Sequence, residues 1–428
     1  MTATHSIQFS NRFTVTLKII SFSLIAVYLL NCFTPLRLHV DTLRYFAIKD
    51  CLEIGCPDDS VAAKDYLPYG YTALLLFLSK LGILKSFTIV LINCIYLFSS
   101  VYFLLKFFGK SLHPQLFIIF LLLNWTVIKF TTHPLSEMQF LFFCTGSIYF
   151  FSKYTDTKKI YFLLTAFLCS GFAFITRTVG ITLVAALIVS LIWQYRKELL
   201  LLIKKHKIIA GFISLASICT LAFSKQLGLD HYTGVLTKQF TEGIGFGDIL
   251  KWHFTEWTEI SFNTSIVKIS GILPYGMTKP LFLIAGIIFF SGFLFFLFKK
   301  KNNFPVIIKV YVILYSLLMF NWPFYDPRFW IPIAPFFVAV LVQTITSLNQ
   351  SSLIKIIIYP LISVYLTMGS ISVIFLTYTS LDKKIFVKIQ ANGVYRNEYE
   401  IILFGKMLSD TASKVNPVTL SVLERYNK

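Results

Sequence analysis

The sequence predicts an all-α, polytopic membrane protein of about eleven transmembrane helices, and three observations carry that expectation. Hydrophobic residues make up 56% of the 428-residue chain and charged residues only 14%, with a mean hydropathy of +0.72. Soluble domains hold roughly 45–50% apolar residues and about 25% charged ones, so a soluble fold is excluded. A hydrocarbon core ~30 Å thick needs about 20 apolar residues per helix, and the chain is long enough for roughly a dozen such helices plus loops. Basic residues also gather in every second connection, the pattern that membrane insertion imposes.

Uninterrupted apolar windows lie near 13–34, 87–108, 115–131, 136–152, 160–176, 178–194, 208–224, 280–298, 306–321, 329–347 and 354–378. The first is too long for a signal-peptide core and is followed by no small-x-small cleavage site, so it is expected to stay as an anchor. Residues 67–84 contain Pro68 and Gly70 and have an apolar core of only six residues, Ala73 to Leu78; they read as a helix lying in the interface. With that choice the connections after spans two, four, six and eight share one side. They hold thirteen basic residues, among them Lys106, Lys153, Arg196 and Lys299, against two acidic ones, Asp156 and Glu198. The positive-inside rule makes this side cytoplasmic, with the N-terminus inside. The outer connections are charge-balanced: residues 36–66 hold four basic and six acidic residues, and 225–279 hold five of each. Residues 1–380 thus read as one membrane-embedded domain with external loops at 35–86 and 225–279, and residues 381–428 as a small external tail.

The net charge of +19 reports this orientation and not a nucleic-acid partner, because no basic domain with interleaved polar surface is present. Of the seven cysteines, Cys94, Cys144, Cys169 and Cys219 lie inside apolar runs and read as buried small hydrophobes. Only Cys51 and Cys56 share a polar loop, where they are a candidate disulfide if that loop faces an oxidising compartment.

Ionisable residues at a membrane boundary are costly, and here they gather in the outer connections. Asp41 in "HVDTLRYFAIKD" is followed at i+4 by Tyr45, so on a helix the carboxylate and phenol share a face. Glu137 in "THPLSEMQF" opens a span, a position that also suits plain helix capping, and His133 before Pro134 suits a turn as well as a pocket. Arg177 in "FITRTVGITL" interrupts two apolar runs with a permanent charge, whose alternative reading is snorkelling to the interface. Tyr325, Asp326 and Arg328 lie in the proline-rich "NWPFYDPRFWIPIAP", either an irregular stretch that aims the guanidinium inward or an aromatic-belt anchor. Together the set has a chemical logic. A carboxylate deprotonates an acceptor while arginines hold an anionic phosphate, a leaving group that needs charge stabilisation and no general acid.

This pattern resembles the GT-C superfamily of integral-membrane glycosyltransferases, and most of all the branch with protein O-mannosyltransferases and aminoarabinose transferases of lipid A. The resemblance covers roughly residues 13–350. It implies that Asp41 in "VDTLRYFAIKD" is the catalytic carboxylate of the first external loop, followed by an interfacial helix similar to "YLPYGYTALLLFL". Glu137 matches the acid after the second external loop; "TRTVGITL" resembles the Arg-x-x-Gly turn, and "DPRFWIPIAPF" the late Arg-aromatic-x-x-Pro segment. Asp41 would then be the base and Arg177 and Arg328 the phosphate ligands, with Tyr45, His133, Glu137 and Tyr325 lining the sugar or acceptor pocket. Some relatives carry a paired Asp-Glu where Asp41 is followed by Thr42, so no metal ligand set and no cofactor is expected. The implied partners are a polyprenyl-phosphate sugar donor, a lipid, glycan or protein acceptor, and membrane lipids. The implied place is a bacterial inner membrane with the site on its outer face. Two other readings compete: an O-antigen ligase or glycan polymerase working through the 225–279 loop, with His231 and His253, and a transporter or flippase of lipid-linked sugars.

Overall fold

The structure, a computed structural model, describes residues 11–196, 229–299, 302, 304–347, 352–408 and 415–427. Nineteen α-helices and no strand occur among them. The expected span 208–224 and the basic residues Lys197, Lys204, Lys205, Lys207, Lys300 and Lys301 lie outside the described residues.

Helix α1 (Asn11–Leu30) runs into a 3-10 turn, Asn31–Phe33, and stops because Pro35 favours an extended Thr34 (φ −65°, ψ 143°). Helix α2 (Val40–Ile54) starts where the His39 ring accepts the Asp41 amide at 3.2 Å, and ends at Gly55. Cys51 and Cys56 are disulfide-bonded across that end, with their Cα atoms 4.9 Å apart. Helix α3 (Tyr69–Lys80) has 12 residues. At ~1.5 Å per residue it is about 18 Å long, short of a ~30 Å core, as an interfacial helix should be. It lies so close to the end of the later helix Ile160–Thr176 that a Cβ on Gly70 would meet the Ile175 carbonyl oxygen at 2.7 Å.

Helices α4 (Ser86–Phe108), α5 (Pro114–Leu122), α6 (Trp125–Thr131), α7 (Glu137–Thr157), α8 (Ile160–Thr176) and α9 (Ile181–Gln194) follow. The single span expected over 115–131 is broken: α5 and α6 meet at an angle of 67°. Asn124 caps α6 by accepting the Thr126 amide, while the Asn263 side chain accepts the Trp125 amide at 2.7 Å and donates to the Leu123 carbonyl at 2.8 Å. These amides satisfy the backbone groups that the break releases, which is what makes a broken helix tolerable at this depth.

After helices α10 (Leu229–Thr241), α11 (Phe246–Ser261) and α12 (Ile266–Ser270) come α13 (Tyr275–Phe298), α14 (Val306–Met319), α15 (Ala334–Ser347) and α16 (Ser352–Leu381). The span expected from 329 becomes regular only at Ala334, after a 3-10 turn at Pro327–Trp330. Pro327 and Pro332 lack the amide hydrogen that a continuous helix would use.

Four described stretches are each long and apolar enough to cross a membrane: Asn11–Phe33, Ser86–Ser111, Tyr275–Phe298 and Tyr359–Leu381; the α5–α6 pair is a fifth, bent candidate. The remaining windows of the expected eleven that are described fall on shorter apolar helices, α8, α9, α14 and α15, and on α7, whose first turn holds Glu137. The first, third and fourth long stretches bury only 22%, 28% and 22% of their apolar windows, so they turn Ile19, Phe22, Ile284, Ile288, Ile371 and Ile374 outward. In water such a surface would be strongly unfavourable; facing lipid it is neutral, and the chain is an integral membrane protein.

The polar tail expected from residue 381 is mostly helical among its described residues. It forms α17 (Lys383–Ile389), α18 (Arg396–Phe404) and α19 (Pro417–Tyr426) and docks on the segment leading into α2. The Tyr399 hydroxyl donates to the Leu36 carbonyl at 2.6 Å and accepts the Leu38 amide at 3.0 Å, and the Gln390 amide donates to the Leu38 carbonyl at 2.8 Å. The Tyr426 ring stacks on Phe46 at 4.6 Å, and its hydroxyl meets the Lys49 ammonium at 2.7 Å.

Candidate active site

Four connections meet at one end of the bundle, and each delivers charge by a local device. Asp41, Arg44 and Tyr45 come from the first two turns of α2, where the helix dipole favours the Asp41 carboxylate. Glu137 opens α7 in the same way. Arg177 is the extended residue between α8 and α9, held by a 3-10 turn in which the Gly180 amide bonds the Arg177 carbonyl at 2.8 Å. Asp326 and Arg328 come from the turn before α15, where the Asp326 side chain accepts the Arg328 amide at 3.1 Å.

Arg328 is the hub. Its Nη2 donates to Asp41 Oδ2 at 2.5 Å, its Nη1 lies 3.6 Å from Glu137 Oε1, and its Nε lies 2.8 Å from Asp326 Oδ2 without the alignment of a hydrogen bond. Arg177 reaches the same Glu137 oxygen at 2.6 Å. Arg44 bonds Asp41 Oδ1 at 3.0 Å and grips Asp65 through Nε at 2.8 Å and Nη2 at 2.7 Å, the two-point geometry that guanidinium and carboxylate favour. Burial works against ionisation of Asp41, but Arg328, then Arg44 and His39, hold its carboxyl below the ordinary value of 3.8. Burial and the Arg328 charge push the His39 imidazole down in turn, outweighing Asp326 and Asp41.

Beside this network, with His39 and Asp65 behind its wall, lies a cavity of about 510 Å³. Asp41, Arg44, Glu137, Arg177, Asp326 and Arg328 form its polar floor, and Val179, Ile181, Leu318, Met319, Trp322 and Phe324 its apolar flank. An apolar wall with a few convergent charges suits a ligand with a greasy part and an anionic head. Glu137 Oε2 is buried there and has no hydrogen-bond partner among the described residues.

Of the residues singled out from sequence, Asp41, Tyr45, Glu137, Arg177, Tyr325 and Arg328 all line this cavity. The Tyr45 hydroxyl is committed to Ser136 at 3.0 Å. His133 is not brought in: it is buried beside α6, with Nδ1 donating to the Lys129 carbonyl at 2.8 Å, and serves the turn before α7. His253 is fully buried and also does not line the cavity. Sequence reasoning gave no role to Asp65 or His39. The Arg44–Asp65 pair spans 21 residues and leaves no local spacing signal, whereas His39 could have been read as a helix cap from its place just before an acidic first turn.

Gly180 is required by close approach. A Cβ there would sit 2.6 Å from the Phe174 nitrogen and 2.7 Å from the Ala173 carbonyl carbon. Gly180→Ala is therefore expected to push the turn off α8, carry Arg177 away from Glu137, and destabilise by about 1–3 kcal/mol, the usual range for overpacking. A thermal melt of the purified variant in detergent checks this; an unchanged midpoint would contradict it.

The helices, the broken α5–α6 pair and the cluster of connections at one end make a polytopic, all-α membrane fold, and that fold has a counterpart among solved structures. Among solved structures the chain is similar to ArnT from Cupriavidus metallidurans bound to undecaprenyl phosphate. The TM-score is 0.50 at 11% sequence identity, over 98% of this chain and 86% of that chain. At that identity the likeness concerns the fold. No protein-family model matches the chain, and no curated protein matches it.

Proposed function

We propose that the protein transfers a sugar from a polyprenyl-phosphate carrier to a lipid, glycan or protein acceptor, with inversion at the anomeric carbon. The observation that carries this reading is the Arg328 guanidinium, shared among Asp41, Glu137 and Asp326 at the base of a half-apolar cavity. The solved ArnT was bound to undecaprenyl phosphate, a ligand of the class this cavity suits.

The acceptor hydroxyl attacks the anomeric carbon, its proton passes to Asp41, and the carbon–oxygen bond to phosphate breaks, leaving the polyprenyl phosphate with the bonding pair. Arg328 and Arg177 hold that anion. In the free protein both Asp41 oxygens are engaged, Oδ1 by Arg44 and Oδ2 by Arg328, which keeps the carboxylate a weak base. A donor phosphate that draws Arg328 toward itself loosens the second engagement and raises Asp41 basicity where the proton must be taken. Tyr45, Tyr325 and Glu137 line the sugar side, and the unpartnered Glu137 Oε2 is an acceptor for a sugar or acceptor hydroxyl. The positive charge that assists departure comes from guanidiniums, so the scheme calls for no metal or cofactor. The chain would sit in a bacterial inner membrane with its N-terminus cytoplasmic. The cavity and the tail from residue 381 would be on the outer face.

The test is purified protein in nanodiscs supplied with a polyprenyl-phosphate sugar and an envelope-lipid extract, with products read by mass spectrometry. A glycosylated acceptor and free polyprenyl phosphate are expected. Movement of the lipid-linked sugar across vesicles with no glycosyl product would replace this reading with a flippase.

A further inference from the structure

Beneath the 321–330 segment lies a second ionisable pair that the proposed transfer chemistry does not use. His253 and Glu256, three residues apart on α11, are both fully buried. The His253 Nδ1 is 2.7 Å from Glu256 Oε2, and its Nε2 is 2.7 Å from the Trp322 carbonyl oxygen. A carbonyl oxygen only accepts, so Nε2 carries a hydrogen, and one further proton lies between Nδ1 and the carboxyl. Written as imidazolium and carboxylate or as neutral ring and acid, the pair has no net charge, and its remaining acceptors are satisfied, the condition under which such a pair can be buried.

Those remaining acceptors all serve one piece of chain. Glu256 Oε1 takes the Asp326 amide at 2.5 Å, and Oε2 takes the Trp330 indole N–H at 2.7 Å. With the Trp322 carbonyl on His253, the segment is fastened at three points that bracket Arg328. The Tyr315 hydroxyl adds a bond to the Phe329 carbonyl. The segment needs such fastening because Pro323 and Pro327 give it no amide hydrogens at those positions and no regular helix forms until Ala334.

We infer that His253 and Glu256 are positioning residues that fix the direction of the Arg328 guanidinium, and through it the polyprenyl-phosphate site. The inference rests on the proposed role of Arg328. Neither side chain lines the cavity, so both act through the segment they hold.

The full chain in nanodiscs is titrated with undecaprenyl phosphate, and hydrogen exchange is followed over residues 321–330. The variants are Glu256→Ala, Glu256→Gln and His253→Gln, with Thr258→Val as the control. Thr258 is on the same helix and buried, but bonds the Phe282 carbonyl and not the segment. Removing the hub of a buried hydrogen-bond set is expected to give Glu256→Ala about tenfold or greater faster exchange in 321–330 and about tenfold or greater weaker binding. Glu256→Gln, whose carbonyl still accepts, and His253→Gln, whose amide still donates, should recover part of both. Thr258→Val should lower the melting temperature and change neither. If Glu256→Ala behaves like that control, the inference is overturned. If the wild type does not bind undecaprenyl phosphate, the functional reading fails, and the exchange result alone then decides whether the pair holds the segment.

Discussion

Asp41→Asn is expected to abolish glycosyl transfer while leaving the protein folded and its polyprenyl-phosphate affinity nearly unchanged. The amide keeps the shape of the carboxylate, and its one oxygen can still accept from one of the two arginines that bond the separate Asp41 oxygens, but it cannot take a proton. Loss of a positioned general base costs typically ~10²–10⁴-fold in rate. Single-turnover transfer by the purified variant, beside a binding titration, is the measurement. Turnover near the wild-type rate would remove Asp41 from the chemistry, and equal losses of binding and rate would make it a structural ion-pair partner instead.

Arg328→Lys should be nearly as damaging, although it conserves charge. An ammonium is a point charge on a flexible stem and cannot face Asp41, Glu137 and Asp326 in three directions at once. Charge-assisted hydrogen bonds contribute about 1.5–3 kcal/mol each, so donor affinity should fall roughly 10- to 100-fold. A second signature concerns acid. Arg328 heads the groups that hold the Asp41 carboxyl below its ordinary value of 3.8. A carboxyl depressed in the folded state contributes stability that is fully present above its unfolded pKa and is lost as the pH falls through its folded value. With Arg328→Lys the folded value rises toward the unfolded one, so this contribution should shrink and its loss should be complete at a higher pH, and the acid limb of the pH–rate profile should move upward with the folded value. Melting curves and rates between pH 3 and about 6, where carboxyls of this kind titrate, would show the shift. An unmoved limb would mean that Asp41 and Arg328 are not coupled.

Much of the fold was legible because lipid imposes simple demands. Apolar runs of sufficient length sit where the helices α1, α4, α13 and α16 lie, and the short run after Pro68 with its early Ser79 and Lys80 gave away α3. The break between α5 and α6 was not legible. Its satisfying partner, Asn263, is more than 130 residues away, and no local pattern announces it. The composition change near Ser380 marks the tail in the sequence, but no local pattern shows that Tyr399 and Gln390 bond the backbone at Leu36 and Leu38, more than 350 residues away. For the site, charges at the boundaries of apolar runs were a usable signal. Asp41, Glu137, Arg177 and Arg328 stood out against apolar neighbours, and the structure brings all four into contact. Pairing was invisible: nothing in the spacing tells that one Glu137 oxygen is shared by two arginines, or that Asp65 occupies Arg44. His133 shows the opposite failure, since a ring beside a proline at a span boundary looks the same whether it faces a ligand or, as here, bonds the turn below it.

The grip of residues 390–427 on Leu36–Leu38 makes the placement of Asp41 depend on chain more than 350 residues away. A proteolytic nick that detached α18 and α19 would leave the long apolar helices α1, α4, α13 and α16 anchored in lipid while freeing the backbone that leads into α2. A clipped preparation would therefore stay in the membrane fraction and look intact by that criterion, yet have lost the support of the Asp41 end of the cavity.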